Sequence, residues 1–172
     1  MAQVKGKFIT LTGMLASSSA EVTQKIDHYL EEHTGLTHLE LDPEEFYEVS
    51  LWNAVMNIYA STFADPRQAI ISLGKRIYPT IKLTMGLPDH LKTPKDFILF
   101  EAQGFQMNHS QDVEPRKIIQ ETENSVTIYA PAPGYDASLF IGVWLGILEM
   151  IGIFSGAVKE TGKNTYTITW ED

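Results

Sequence analysis

Leu139 to Phe154 is the longest apolar run of the chain, about 16 residues interrupted by one carboxylate, Glu149. A membrane span needs roughly 20 apolar residues, so this run is short for one. It predicts instead a helix that is apolar on nearly every side and must be covered all round. The flanking sequence supplies part of that cover. Lys117 to Thr122 and Ser125 to Ala130 are β-rich runs joined by Glu123-Asn124. Ala157 to Glu160 and Thr165 to Trp170 flank Thr161-Gly162-Lys163-Asn164, a second hairpin signal. Tyr166, Ile168 and Trp170 alternate with threonines, so one face packs and the other stays wet. From about Pro115 to Asp172 the expected order is hairpin, buried helix, hairpin. Gly142 and Gly146 fall inside that helix. Two mid-helix glycines cost roughly 2 kcal/mol relative to alanine. Close backbone packing is the expected compensation, with a bound ligand as the alternative.

The remaining cover is expected from N-terminal helices. Ser18-Ser19-Ala20-Glu21 has capping-box spacing, Val22, Ile26, Tyr29 and Leu30 share one face, and Gly35 stops the helix. Asp42-Pro43-Glu44-Glu45 predicts a second start, with Phe46, Val49, Trp52, Val55, Met56 and Tyr59 as its apolar face. Asp65-Pro66 begins a third, with Ala69, Ile70, Leu73 and Ile77 inside. Pro79 is expected to kink or end it near Ile77, leaving an irregular or helical piece from Ile81 to Met85. Thr93-Pro94 opens a fourth that runs through Phe97, Ile98, Phe100 and Glu101 toward Phe105. Met1 to Ser17 does not read as a signal peptide, because Thr10, Thr12 and Gly13 break its apolar stretch. The expectation is one α+β domain over 1–172. A helical part at about 18–110 packs on an antiparallel sheet of hairpin–helix–hairpin order at about 115–172.

Composition narrows the function classes. The chain has no cysteine, which excludes disulfides and thiolate metal sites and fits a reducing, cytoplasmic compartment. A net charge of −9 disfavours nucleic acid and anionic membrane as partners; an acidic, bacterial-type soluble surface is the plain explanation. His28, His33, His38, His90 and His109 show no recognised metal-ligand spacing and are expected at the surface. No nucleophile elbow, phosphate loop or dinucleotide fingerprint occurs, and no catalytic residue is assigned. Gly134-Tyr135-Asp136 before the apolar helix reads as a capped turn rather than an anion site. Glu149 is expected at the rim of its helix, because a buried lone carboxylate is expensive.

Several helices followed by hairpin, glycine-bearing apolar helix and a hairpin ending Thr167-Ile168-Thr169-Trp170 resemble the heme–nitric oxide/oxygen-binding (H-NOX) sensor domains. The order is also similar to their relatives: a heme-free family abundant in myxobacteria, 4-vinyl reductase domains and vesicle-tethering TRAPP subunits. The resemblance spans about Leu41 to Trp170 and is clearest in Ser72-Leu73-Gly74-Lys75, in Lys95 to Leu99 and in Ser138 to Glu149. In H-NOX domains a Phe-Leu-Leu stretch precedes the iron-ligating histidine. Phe97-Ile98-Leu99 matches it, and the family spacing then lands on Phe105, which cannot ligate iron. The family's Tyr-x-Ser-x-Arg motif, which holds heme propionates, matches Tyr129-Ala130-Pro131-Ala132-Pro133. Both polar positions are proline, which offers no donor.

The resemblance therefore implies a non-enzymatic sensory or ligand-binding module without heme or metal. It would hold a small apolar ligand, or meet a signalling protein partner, with a homodimer compatible. One alternative is a heme gas sensor that uses His109, one helical turn beyond Phe105. Another is a structural adaptor with a filled core and an exposed apolar patch. An enzyme lacks any acid–base pair or nucleophile in the sequence. The expected pocket residues are Trp52, Tyr78, Met85, Phe105, His109, Tyr129 and Trp144.

Overall fold

A computed structural model describes residues 1–171. The element order is β1 (Gln3–Lys5), α1 (Gly6–Ala16), α2 (Ala20–Thr34), β2 (Phe46–Glu48), α3 (Val49–Ala60), α4 (Pro66–Thr84) and α5 (Pro94–Asn108). Then follow β3 (Lys117–Thr122), β4 (Ser125–Tyr129), α6 (Ser138–Met150), β5 (Ala157–Gly162) and β6 (Thr165–Thr169). The architecture is α+β, with the predicted hairpin–helix–hairpin order at the C-terminal end.

The apolar helix α6 is the centre of the fold, and each flank is covered differently. On one flank lies a four-stranded antiparallel sheet in the order β3-β4-β6-β5. Val126, Ile128, Tyr166 and Ile168 are its buried positions, and the Tyr166 ring lies 5.3 Å from that of Trp144. On the other flank α4 crosses α6 at backbone contact. A Cβ on Gly142 would stand 2.0 Å from the Ile71 carbonyl oxygen, and one on Gly146 would stand 2.3 Å from that of Lys75. Gly74 returns the approach, at 2.4 Å from the Leu139 oxygen. The glycines thus serve close packing, as expected.

Pro79 does not end α4, which continues to Thr84. A proline inside a helix deletes the hydrogen bond to the carbonyl four residues back. Here that is Lys75, whose carbonyl is the one pressed against Gly146.

The N-terminal segment departs further from expectation. Residues 3–16 form β1 and α1, which periodicity did not reveal. The Asp42-Pro43 signal does not cap a helix. Asp42 Oδ1 accepts from the Glu44 amide at 2.9 Å, a local turn, and the chain then enters β2. β2 pairs antiparallel with β1, Val4 against Tyr47, so helix α3 starts only at Val49 and Phe46 stays exposed. Ser19 rather than Ser18 caps α2, accepting from the Val22 amide. Thr93 and Asp96 form a full capping box on α5.

Two histidines are buried rather than at the surface, His38 and His109. Asp27 Oδ1 accepts from both the His38 amide and its ring Nδ1, at 2.9 and 2.6 Å, and the ring fills the space beside Gly13. Glu149 emerges half-buried and pairs with Lys75 at 2.6 Å. Among the described residues no helix is long and apolar enough to cross a membrane.

Candidate functional site

A cavity of about 620 Å³ opens between α1, α4, α5 and α6. Its walls are mostly apolar: Phe8 and Leu11 from α1, Ile77 and Ile81 from α4, Phe100 from α5, Leu139 and Val143 from α6. An apolar concavity with a few polar groups is the usual form of a small-molecule site. A wider groove along α2, about 900 Å³, is lined by polar residues such as Glu21, Lys25 and Glu31 and contains none of the expected pocket residues.

Trp52, Tyr78, Met85, Phe105 and His109 all line the 620 Å³ cavity. Met85 stands at its mouth, 69% exposed. Trp52 is fixed by its indole N–H, which donates to Thr12 Oγ1 at 2.8 Å, and by an edge contact with Tyr135 at 4.7 Å. Burial holds the Tyr78 hydroxyl well above the usual phenol range, with the Glu101 carboxylate adding to the effect.

Tyr129 and Trp144, also expected in the pocket, do not line this cavity. Val126, Ile128 and Ala130 point into the core, so Tyr129 faces the opposite side of the sheet. Its hydroxyl donates to Glu114 at 3.3 Å. Trp144 is wholly buried behind the cavity wall, on the sheet side of α6.

His109 caps the C-terminal end of α5 and forms a bridge with Val4 of β1. Its Nδ1–H donates to the Phe105 carbonyl at 2.8 Å, which leaves the lone pair on Nε2. Nε2 accepts from the Tyr135 hydroxyl at 3.3 Å. Burial lowers its pKa to about 4; the Phe105 bond opposes this, and the Arg116 charge adds to it. The ring is therefore neutral near pH 7.

The polar centre of the cavity wall lies with residues that sequence reasoning did not select. The Arg116 side chain is 2% exposed and pairs with Glu101, 5% exposed, at 2.8 Å. Its guanidinium lies over the Phe105 and Phe140 rings, 4.2 and 4.1 Å from their centroids. Glu101 also accepts from the Trp144 indole at 3.2 Å. Burial pushes the Glu101 carboxyl up, while Arg116 and then Trp144 pull it back. Arg116 Nε and Nη1, and Thr10 Oγ1, are buried with no hydrogen-bond partner among the described residues. Both Arg116 and Thr10 line the cavity. One sequence signal existed: Phe97, Glu101 and Phe105 are spaced four apart, which puts a carboxylate on a buried helix face.

The Gly134-Tyr135-Asp136 turn is a capped turn: Asp136 Oδ1 accepts from the Ser138 amide at 2.8 Å, the place an external anion would take.

No family model and no curated protein matches the sequence. Solved structures do match over almost the full length. The Fe(II) unliganded H-NOX protein from K. algicida superposes with a TM-score of 0.70 at 15% identity, covering 98% of this chain and 97% of that one. A point mutant of the T. tengcongensis H-NOX gives 0.68 at 12% identity, covering 98% of each chain. An oxygen-binding H-NOX domain related to soluble guanylate cyclases, in its oxygen complex, gives 0.66 at 12% identity, covering 97% and 93%. The topology, the central apolar helix and this near-complete overlap together identify an H-NOX-like fold.

Proposed function

We propose that the protein is a non-enzymatic sensory or ligand-binding module that holds a small apolar molecule in the cavity between α1, α4, α5 and α6, without heme. The observation that carries this reading is the 620 Å³ cavity with its largely apolar wall. The residues present do not suit heme. Phe105 stands where the resemblance expects the iron ligand, and His109 Nε2 already receives the Tyr135 hydroxyl. The buried cation of the wall, Arg116, is committed to Glu101. Lys5 and Lys7, which also line the cavity, both pair with Glu44, at 2.5 and 3.3 Å. Cations free to hold two propionates are therefore lacking among the described lining residues.

A heme sensor that uses His109 is the second reading, and one observation favours it. The Nδ1–H bond to Phe105 leaves a lone pair on Nε2, the state a metal ligand requires. Two titrations separate the readings. With hemin, the heme-free reading expects no sharp Soret band dependent on His109; a band abolished in His109→Ala would establish the second reading. With the fluorophore N-phenyl-1-naphthylamine, saturable enhancement is expected. Gly104 lines the cavity, and a Cβ there meets only the Tyr78 hydroxyl, at 3.5 Å. Gly104→Leu should fill the space and abolish the enhancement without loss of fold. Unchanged binding in that variant would refute the cavity as the site.

A further inference from the structure

We propose that the ligand is an uncharged apolar molecule carrying a carbonyl- or ether-type acceptor, and that Arg116 is the group that receives it. This rests on the cavity being a ligand site and adds the chemistry of its occupant. The first support is the pair of unpartnered nitrogens. Arg116 Nε and Nη1 are sealed from water and have no acceptor among the described residues. A buried donor without an acceptor loses the full hydration of that group. An acceptor brought by a ligand removes that penalty, and it does so only in the bound state.

The second support is the charge balance around Arg116. Its positive charge is already cancelled by Glu101 at 2.8 Å. A carboxylate ligand would add a second negative charge beside Glu101 in a low-dielectric wall, at a high desolvation cost. A neutral carbonyl or ether oxygen adds none. The third support is rigidity. The Phe105 and Phe140 rings, nearly perpendicular to each other, lie against the guanidinium from two sides and confine it before any ligand arrives. Both rings line the cavity together with Arg116. Thr10 Oγ1 is a second unpartnered polar atom of the same wall and matches an occupant that is not wholly hydrocarbon.

Three probes of nearly equal shape test the assignment by calorimetric titration: 2-acetylnaphthalene, 2-ethylnaphthalene and 2-naphthoate. The acetyl compound should bind about tenfold tighter than the ethyl compound, as expected for one hydrogen bond to a charged donor. The naphthoate should bind more weakly than the acetyl compound. Glu101→Gln keeps an acceptor for Trp144 and removes the cancelling charge, so it should shift preference toward the naphthoate by tenfold or more. Equal affinity of the acetyl and ethyl compounds for the wild-type protein would overturn the role of Arg116 while leaving the cavity as an apolar site. Naphthoate as the tightest wild-type ligand would overturn the uncharged class. Failure of all three to saturate would overturn the cavity reading itself. The wild-type series decides these points even if Glu101→Gln does not fold.

Discussion

Replacing Gly142 with alanine tests the crossing on which the cavity is built. The added Cβ would stand 2.0 Å from the Ile71 carbonyl oxygen, where ordinary contact begins at 3.4 Å. The helices must therefore separate locally by about 1.4 Å, or the backbone must bend by as much. The opposing atom is main chain, so no rotamer change relieves the clash. Overpacking of this kind costs about 1–3 kcal/mol, and a rigid backbone partner puts it at the upper end. Alanine recovers about 1 kcal/mol of helix propensity. The net expectation is a loss of about 2 kcal/mol, or roughly 4–8 °C in Tm for a domain of this size. Gly104→Ala is the internal control. It makes the same chemical change in α5, where the new Cβ meets only the Tyr78 hydroxyl at 3.5 Å. That variant should gain up to about 1 kcal/mol. Urea unfolding followed by circular dichroism measures both. If Gly142→Ala matched or exceeded the wild type while Gly104→Ala behaved as stated, the close α4–α6 approach would be refuted.

Two further predictions concern the buried polar groups. Arg116→Met leaves Glu101 buried without its cation and should cost about 3–5 kcal/mol, read as a lower urea midpoint; adding Glu101→Gln should recover most of the loss, and no recovery would mean that the arginine acts mainly through its packing on Phe105 and Phe140. His109 has a folded pKa of about 4 against an ordinary 6.5, so the unfolded chain binds the proton more readily. Its contribution is fully present above about pH 6.5, falls as pH drops toward 4, and amounts to roughly 3 kcal/mol. Glu101, raised by burial, works in the opposite sense, so the test compares the wild type with His109→Gln across that range. An unchanged pH slope in the variant would remove His109 as the source.

Much of the fold was legible because its strongest signals are local. The apolar run at Leu139, the two hairpin turns and the Asp65-Pro66 and Thr93-Pro94 starts each act within a few residues, and each element stands where those residues put it. The misses share a different cause. Asp42-Pro43 uses the same chemistry to open a turn as to open a helix, and the choice is made by β1, distant in sequence, which pairs with residues 46–48. Helix α1 has no side-chain cap and no acidic first turn, so its sequence does not announce it. Pro79 reads as a stop unless the α6 glycines are known to lie against the carbonyl it exposes.

The site was less legible, and the reasons differ residue by residue. Arg116 sits in the lead into β3, outside any periodic element, and its burial depends on aromatic rings from two separate helices. Nothing local separates it from a solvated surface arginine. Glu101 is different: with Phe97 and Phe105 on the same helical face, it required a buried cation, and that demand could have been read. Trp144 lies on an apolar helix with no polar face to fix its direction in the sequence; on α6 its ring packs against Tyr166 of the sheet. Tyr129 is the instructive case. Its assignment came from a motif position in relatives, yet Val126, Ile128 and Ala130 had already claimed the inward face of that strand. A strand residue between two inward neighbours points outward whatever its counterpart does in another protein. Where a borrowed motif and the strand's own alternation disagree, the alternation decides, because reversing it would turn Ile128 and Val126 out into water.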